Sequence, residues 1–219
     1  MNLVIIDYGS GNLRSVENAF KISVETNKLN FTIQVTNELD SIQKADHLVL
    51  PGVGSFPDCK KGLEDIVGLI NLLTNEVVNK RKKFLGICVG MQLMVDFSLE
   101  KQRTEGFCWL NGYFKKIVQK GVDYLGRDYK IPHMGWNNLQ FEHNNHPILE
   151  NITEKEQFYF VHSFALESKK KDQLIASTNY NQKIPAIIGK DNYIGVQFHP
   201  EKSGNSGQKF IYNWLKWCP

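Results

Sequence analysis

The chain has 219 residues, 42% of them hydrophobic, with 26 lysines and arginines against 23 aspartates and glutamates, which suits one well-buried core and predicts a single domain over 1–219. The basic residues are scattered apart from short runs at 80–83 and 169–171, which argues against a nucleic-acid surface and leaves those runs as solvated turns. No stretch approaches the roughly 20 apolar residues of a membrane span, and the amino terminus has only a brief apolar run before Asp7, too short for a secretory signal.

A cytoplasmic protein is therefore expected. Cysteines 59, 88, 108 and 218 lack the C-x-x-C spacing or histidine pairing of a structural zinc site, so free thiols and no metal are predicted.

Residues 3–6 predict a first strand, Leu13, Val16 and Phe20 a helix, and residues 31–35 and 48–50 two further strands, the pattern of βαβ units on a parallel sheet. Ile66, Leu69, Ile70, Leu73 and Val77 continue at helical spacing and lead into 84–87, a predicted central strand buried on both faces. After about residue 105 the segments 113–118, 138–141, 158–164, 186–189 and 193–198 read as strands, expected as antiparallel additions to the sheet. A last helix from about 206 to 217 carries Phe210, Trp214 and Trp217 on one face.

Gly86-Ile87-Cys88-Val89-Gly90 lies between the central strand and a helical pattern of Val89, Leu93 and Phe97, which makes it a G-x-nucleophile-x-G elbow with cysteine as nucleophile. A lone cysteine is more often a small buried hydrophobe; the strand-turn-helix context reverses that reading. An ordinary thiol, pKa about 8.5, is only a few per cent ionised near neutrality. A helix amino terminus contributes about 0.3 to 1 kcal/mol, less than the ~1.4 kcal/mol of one pKa unit. An adjacent base is therefore expected.

Of the six histidines, His199 alone ends a strongly β-type run, and Glu201 follows two residues later. In an extended segment these two side chains share a face, with Pro200 holding the backbone extended, so Glu201 can orient the imidazole. His143 and His146 belong to a polar stretch before Pro147, and His47 opens a strand; His133 and His162 are not placed by pattern alone. Pro51-Gly52-Val53-Gly54 directly follows the strand 48–50. One N–H of this loop, from Val53 or Gly52, together with that of Val89, would form an oxyanion hole.

Together Pro51-Gly52-Val53-Gly54, Gly86-Ile87-Cys88-Val89-Gly90-Met91-Gln92 and Gly195-Val196-Gln197-Phe198-His199-Pro200-Glu201 are similar, in order and spacing, to the class I (triad) glutamine amidotransferases. Asp7-Tyr8-Gly9-Ser10-Gly11-Asn12, Pro132-His133-Met134-Gly135-Trp136-Asn137, Tyr159-Phe160-Val161-His162-Ser163 and Glu201-Lys202-Ser203 narrow the resemblance to the glutaminase subunits of imidazole glycerol phosphate synthase. The resemblance implies a flavodoxin-like α/β fold, with a mixed, mostly parallel central sheet flanked by helices.

It also implies glutamine as substrate and a catalytic set of Cys88, His199 and Glu201 working without a cofactor. Gly54, Gln92, His162, Ser163 and Phe164 would line the substrate pocket. Asn12, His133, Met134, Trp136, Asn137 and Lys202 would form the docking face for a (β/α)₈-barrel cyclase that receives ammonia in histidine biosynthesis. The segment Glu105-Gly106-Phe107-Cys108-Trp109-Leu110-Asn111-Gly112 departs from the Gly-Leu-Gly-type turn of histidine-pathway members. It is similar to paralogues that supply ammonia to nucleotide-sugar amidotransferases of surface polysaccharide synthesis, which stands as the alternative. A cysteine peptidase or γ-glutamyl hydrolase acting alone would leave residues 132–137 unexplained.

Overall fold

Strands and helices alternate through the first half of the chain: β1 (Asn2–Ile6), α1 (Leu13–Thr26), β2 (Thr32–Thr36), α2 (Leu39–Lys44), β3 (His47–Gly52), α3 (Phe56–Glu64), α4 (Leu69–Thr74), β4 (Lys83–Cys88) and α5 (Val89–Gln92). Strands dominate the second half: β5 (Phe97–Ser98), β6 (Thr104–Glu105), β7 (Tyr113–Lys116), β8 (His133–Asn138), β9 (Gln140–Phe141), β10 (Gln157–His162), β11 (Phe164–Glu167), β12 (Leu174–Asn179), β13 (Lys183–Lys190) and β14 (Tyr193–Val196), before α6 (Gly204–Lys216). The computed structural model describes residues 1–118, 121, 126, 128–142, 146–168 and 170–219. His143 and Lys169 lie outside that set.

Among the described residues the main sheet runs β2-β1-β3-β4-β14-β13-β12-β9. β2, β1, β3, β4 and β14 are mutually parallel, and β13, β12 and β9 are antiparallel. β3 and β4 are buried at every position, as expected of strands covered on both faces. Phe20 of α1 meets Trp214 of α6 edge-on with ring centroids 5.8 Å apart. This contact closes one face of the sheet. No helix among the described residues is long and apolar enough to cross a membrane.

The later strands depart from expectation. β7 and β11 pair with each other, and β5 pairs with β7 and β6, in a separate small sheet, while β8 and β10 form a two-stranded ribbon. The break falls at Ser163: its carbonyl accepts from Ile117 N–H at 2.9 Å, turning the chain from the ribbon into the small sheet within one residue. β12 has no apolar alternation; its buried Ser177 Oγ donates to Glu142 Oε1 at 2.9 Å. Phe97 is strand rather than helix, because α5 is one turn long and its last bond is Val95 N–H to Gln92 O at 3.4 Å.

Candidate active site

The carboxyl ends of β3, β4 and β14 lie side by side, where open α/β sheets bind ligands. Cys88 closes β4 with φ 54° and ψ −108°, a conformation that costs a non-glycine residue about 1–3 kcal/mol and is kept where the fold over-determines it. Two glycines let the neighbours crowd this turn. A Cβ on Gly86 would stand 2.6 Å from Gly90 O, and one on Gly90 only 1.9 Å from Leu50 O. All four thiols are free, and Cys88 is buried.

His199 lies three residues beyond β14, its N–H donating to Tyr159 O at 2.9 Å. Its carbonyl accepts from Ser203 Oγ at 2.6 Å, and that oxygen in turn accepts Tyr159 N–H at 3.0 Å. Nδ1 of His199 meets Glu201 Oε1 at 2.8 Å, with both side chains buried. The backbone between them is not extended: Pro200–Lys202 form a 3-10 turn, because proline suits a first helical position and Lys202 N–H bonds His199 O at 3.0 Å. With Nδ1 committed to Glu201, Nε2 is left for the Cys88 sulfur. Burial pushes the imidazolium down, but the hydrogen bond to Cys88 and then that to Glu201 outweigh it, and the pKa rises to about 10.

Two further residues belong here that pattern reading missed. Gln197 is fully buried; its Nε2 donates to Cys88 Sγ at 3.7 Å and its Oε1 accepts from Gln92 Nε2 at 3.1 Å. Glu100 lines the cleft, anchored by Phe56 N–H at 2.7 Å. A glutamine inside a β-type run and a lone glutamate after a two-residue strand carry no motif.

The cleft has a volume of about 390 Å³ and gathers Val53, Gly54, Cys88, Val89, Gln92, His162, Ser163, Phe164 and His199 on its walls, with Lys202 at its margin. Glu201 stands behind His199, and Gly52 behind the loop, where a Cβ would meet Gly90 N at 2.8 Å. Val53 N–H points to Ser10 Oγ at 3.4 Å, and Val53 O accepts from the same hydroxyl at 2.7 Å and from Cys59 Sγ at 3.3 Å. Both polar groups of Val53 are thus tied to Ser10.

Asn12 and Lys202 are exposed, as are Met134 at 61% and Trp136 at 53%, while Asn137 is half-buried. His133 corrects the expectation of a docking residue. It is only 2% exposed, because the alternation of β8 turns it inward while Met134 and Trp136 turn out.

The model of the family "Glutamine amidotransferase class-I" matches residues 4–217. Imidazole glycerol phosphate synthase subunit HisH of Brucella melitensis is 41% identical, with both chains covered completely. The subunits of that name from Rhodopseudomonas palustris and Rhodospirillum rubrum are 43% and 39% identical, again over all of both chains. A crystal structure titled glutamine amidotransferase superposes with TM-score 0.68 at 12% identity, covering 97% of this chain and 98% of that one. A glutamine amidotransferase of Thermotoga maritima gives 0.56 at 14% identity, covering 98% and 82%. The parallel sheet, the elbow at its carboxyl edge and these full-length matches lead to one conclusion: the chain belongs to the class I glutamine amidotransferase family.

Proposed function

We propose that the chain is the glutaminase subunit of an imidazole glycerol phosphate synthase, acting in the cytoplasm as one domain over 1–219 and passing ammonia to a (β/α)₈-barrel cyclase. The observation that carries the chemistry is that Cys88 and His199 share the walls of one cleft, with the imidazole braced by Glu201 at 2.8 Å. Cys88 Sγ attacks the side-chain amide carbon of glutamine, and the carbonyl π pair moves onto oxygen. His199 then gives its Nε2 proton to the departing ammonia as the tetrahedral species collapses to a γ-glutamyl thioester. Water, deprotonated by His199, attacks the thioester, and glutamate leaves as the thiolate re-forms. Glu201 keeps the ring in one tautomer and stabilises its charged form; Gln197 donates to the sulfur.

Charge matches the substrate's amino-acid end. Glu100 suits the α-ammonium, while Gln92 and the main chain of Ser163 and Phe164 suit the remaining polar groups. Val89 N–H is one oxyanion donor. The second, from Val53, is held by Ser10, so full activity requires that contact to open, which fits a subunit that works only with its partner engaged. Met134, Trp136, Lys202 and Asn12 supply an exposed face for that partner.

The paralogue reading rests on residues 105–112. Their departure has a core explanation: Trp109 packs edge-on against Phe84 at 5.1 Å, its Nε1 donates to Thr74 Oγ1 at 3.2 Å, and its carbonyl accepts from Tyr193 OH at 3.1 Å. Full-length relatives named HisH favour the cyclase. The test is to purify the chain with its native partner and follow glutamate release with and without that partner's own substrate. A barrel protein whose substrate raises the rate supports the proposal; co-purification of an ATP-using sugar-aminating enzyme instead would sink it.

A further inference from the structure

Between the cleft and the face that carries Met134 and Trp136 lies a buried pair of histidines that the reaction does not consume. His133 on β8 and His162 on β10 are direct cross-strand partners, exposed by only 2% and 5%. His133 Nδ1 and His162 Nε2 are 3.0 Å apart. The distance alone does not say which nitrogen holds the proton, but the two ends of the arrangement do.

At one end His162 Nδ1 lies 2.8 Å from the Phe164 carbonyl, which can only accept, so Nδ1 carries the hydrogen. A neutral ring then offers Nε2 as a lone pair, and His133 must donate from its own Nδ1. That leaves His133 Nε2 as an acceptor, 3.2 Å from Asn137 Nδ2. The Asn137 amide is itself oriented by main chain: Oδ1 accepts from Asn138 N–H at 2.8 Å and Nδ2 donates to Asn179 O at 2.9 Å. Every donor and acceptor is satisfied in one direction, from Asn137 through both rings to Phe164, only while both rings are neutral. Burial holds them so, His133 at about 3 and His162 at about 4. Tyr180, stacked on His133 with centroids 4.0 Å apart, and Phe160 at 4.9 Å keep the first ring in place.

We infer that His133 is a positioning residue for the substrate pocket, setting the Phe164 main chain in the cleft wall through His162 from the strand that presents Met134 and Trp136. The inference rests on the reading that this cleft binds glutamine. Its physical content is the occupation of two carbonyls: Phe164 O by His162, and Ser163 O by Ile117 N–H at 2.9 Å. Offsetting those negative ends lets the wall tolerate the substrate's α-carboxylate. Reversing either tautomer sets two N–H groups or two lone pairs face to face, so a disturbance at His133 reaches the pocket as a misplaced wall.

His133→Phe keeps the ring stack and removes both hydrogen-bonding ends. His133→Asn puts an amide N–H close to where Nδ1 sits. In glutamate-release assays of the complex with the barrel partner, His133→Phe is expected to raise KM for glutamine about tenfold with a smaller change in kcat, and His133→Asn to recover most of it. An unchanged KM in an active His133→Phe complex, or no advantage for His133→Asn, overturns the inference. Should either variant fold poorly, nitrogen-15 imidazole spectra of the unaltered chain decide: both rings neutral and protonated at Nδ1 supports it, and a proton on Nε2 of either ring overturns it. A wild-type complex that releases no glutamate would instead sink the functional reading, and the spectra read out without any activity.

Discussion

Three buried histidines make the stability of this chain acid-sensitive, and His47 allows the effect to be isolated. Burial foremost, with the nearby Lys83 charge, lowers its pKa to about 3, while burial first of all holds His133 at about 3 and His162 at about 4. Unfolded histidines titrate near ~6.5. A group whose folded pKa is depressed takes up its proton in the unfolded chain first, so the stability present above about pH 6.5 is lost as pH falls toward the folded values.

Between about pH 7 and about pH 5 each ring loses about 2 kcal/mol, and three lose about 6 kcal/mol, against the 5–15 kcal/mol typical of a folded domain. His199, raised to about 10, runs the other way. Its contribution is complete below about pH 6.5 and lost as pH climbs through about 10, so acidification over the same window returns only about 1 kcal/mol. His47 packs edge-on against Phe31 at 5.0 Å and Trp214 at 5.6 Å, and neither of its ring nitrogens has a hydrogen-bond partner among the described residues. His47→Phe therefore keeps the packing and removes the titration. Urea unfolding should show the variant losing about 2 kcal/mol less than the parent between the two pH values. Parallel losses in parent and variant would refute the linkage.

Glu201→Gln removes a charge-assisted bond worth about 1.5–3 kcal/mol, so kcat for glutamate release should fall by roughly 10- to 150-fold with KM little changed; a variant within twofold of the parent contradicts the orienting role. Ser10→Ala frees Val53 N–H from a contact worth about 1 kcal/mol, and partner-free glutaminase should rise by about fivefold. A fall, or no change in a folded variant, would show that Ser10 does not restrain the loop.

The two ends of the proposed catalytic constellation were legible as local geometry because that geometry is written in contiguous residues. The Gly86 to Gly90 elbow needs glycines where backbone atoms approach within van der Waals distance, and the elbow sits where the strand pattern ends. The His199–Glu201 contact was also foreseen, though by way of an extended backbone; the 3-10 turn that Pro200 starts achieves the same proximity. Gln197 and Glu100 were invisible because their places depend on strands far apart in sequence meeting at one cleft. The same cause hid the fate of residues 113–118 and 158–164, whose β character was plain. Which sheet they join depends on the turn at Ser163. His133 was expected on the surface by resemblance; the two-residue period of β8 turns it inward to His162.

The most direct test of the central claim is glutamate release from glutamine by the partner-bound complex carrying Cys88→Ser, alongside the parent. If Cys88 is the nucleophile, the variant loses activity by about 10²-fold or more while still binding the partner, and a glutamine-shaped electrophile that labels the parent at residue 88 leaves the variant unmodified. Undiminished hydrolysis by Cys88→Ser, or labelling directed to Cys59, Cys108 or Cys218 instead, would contradict it.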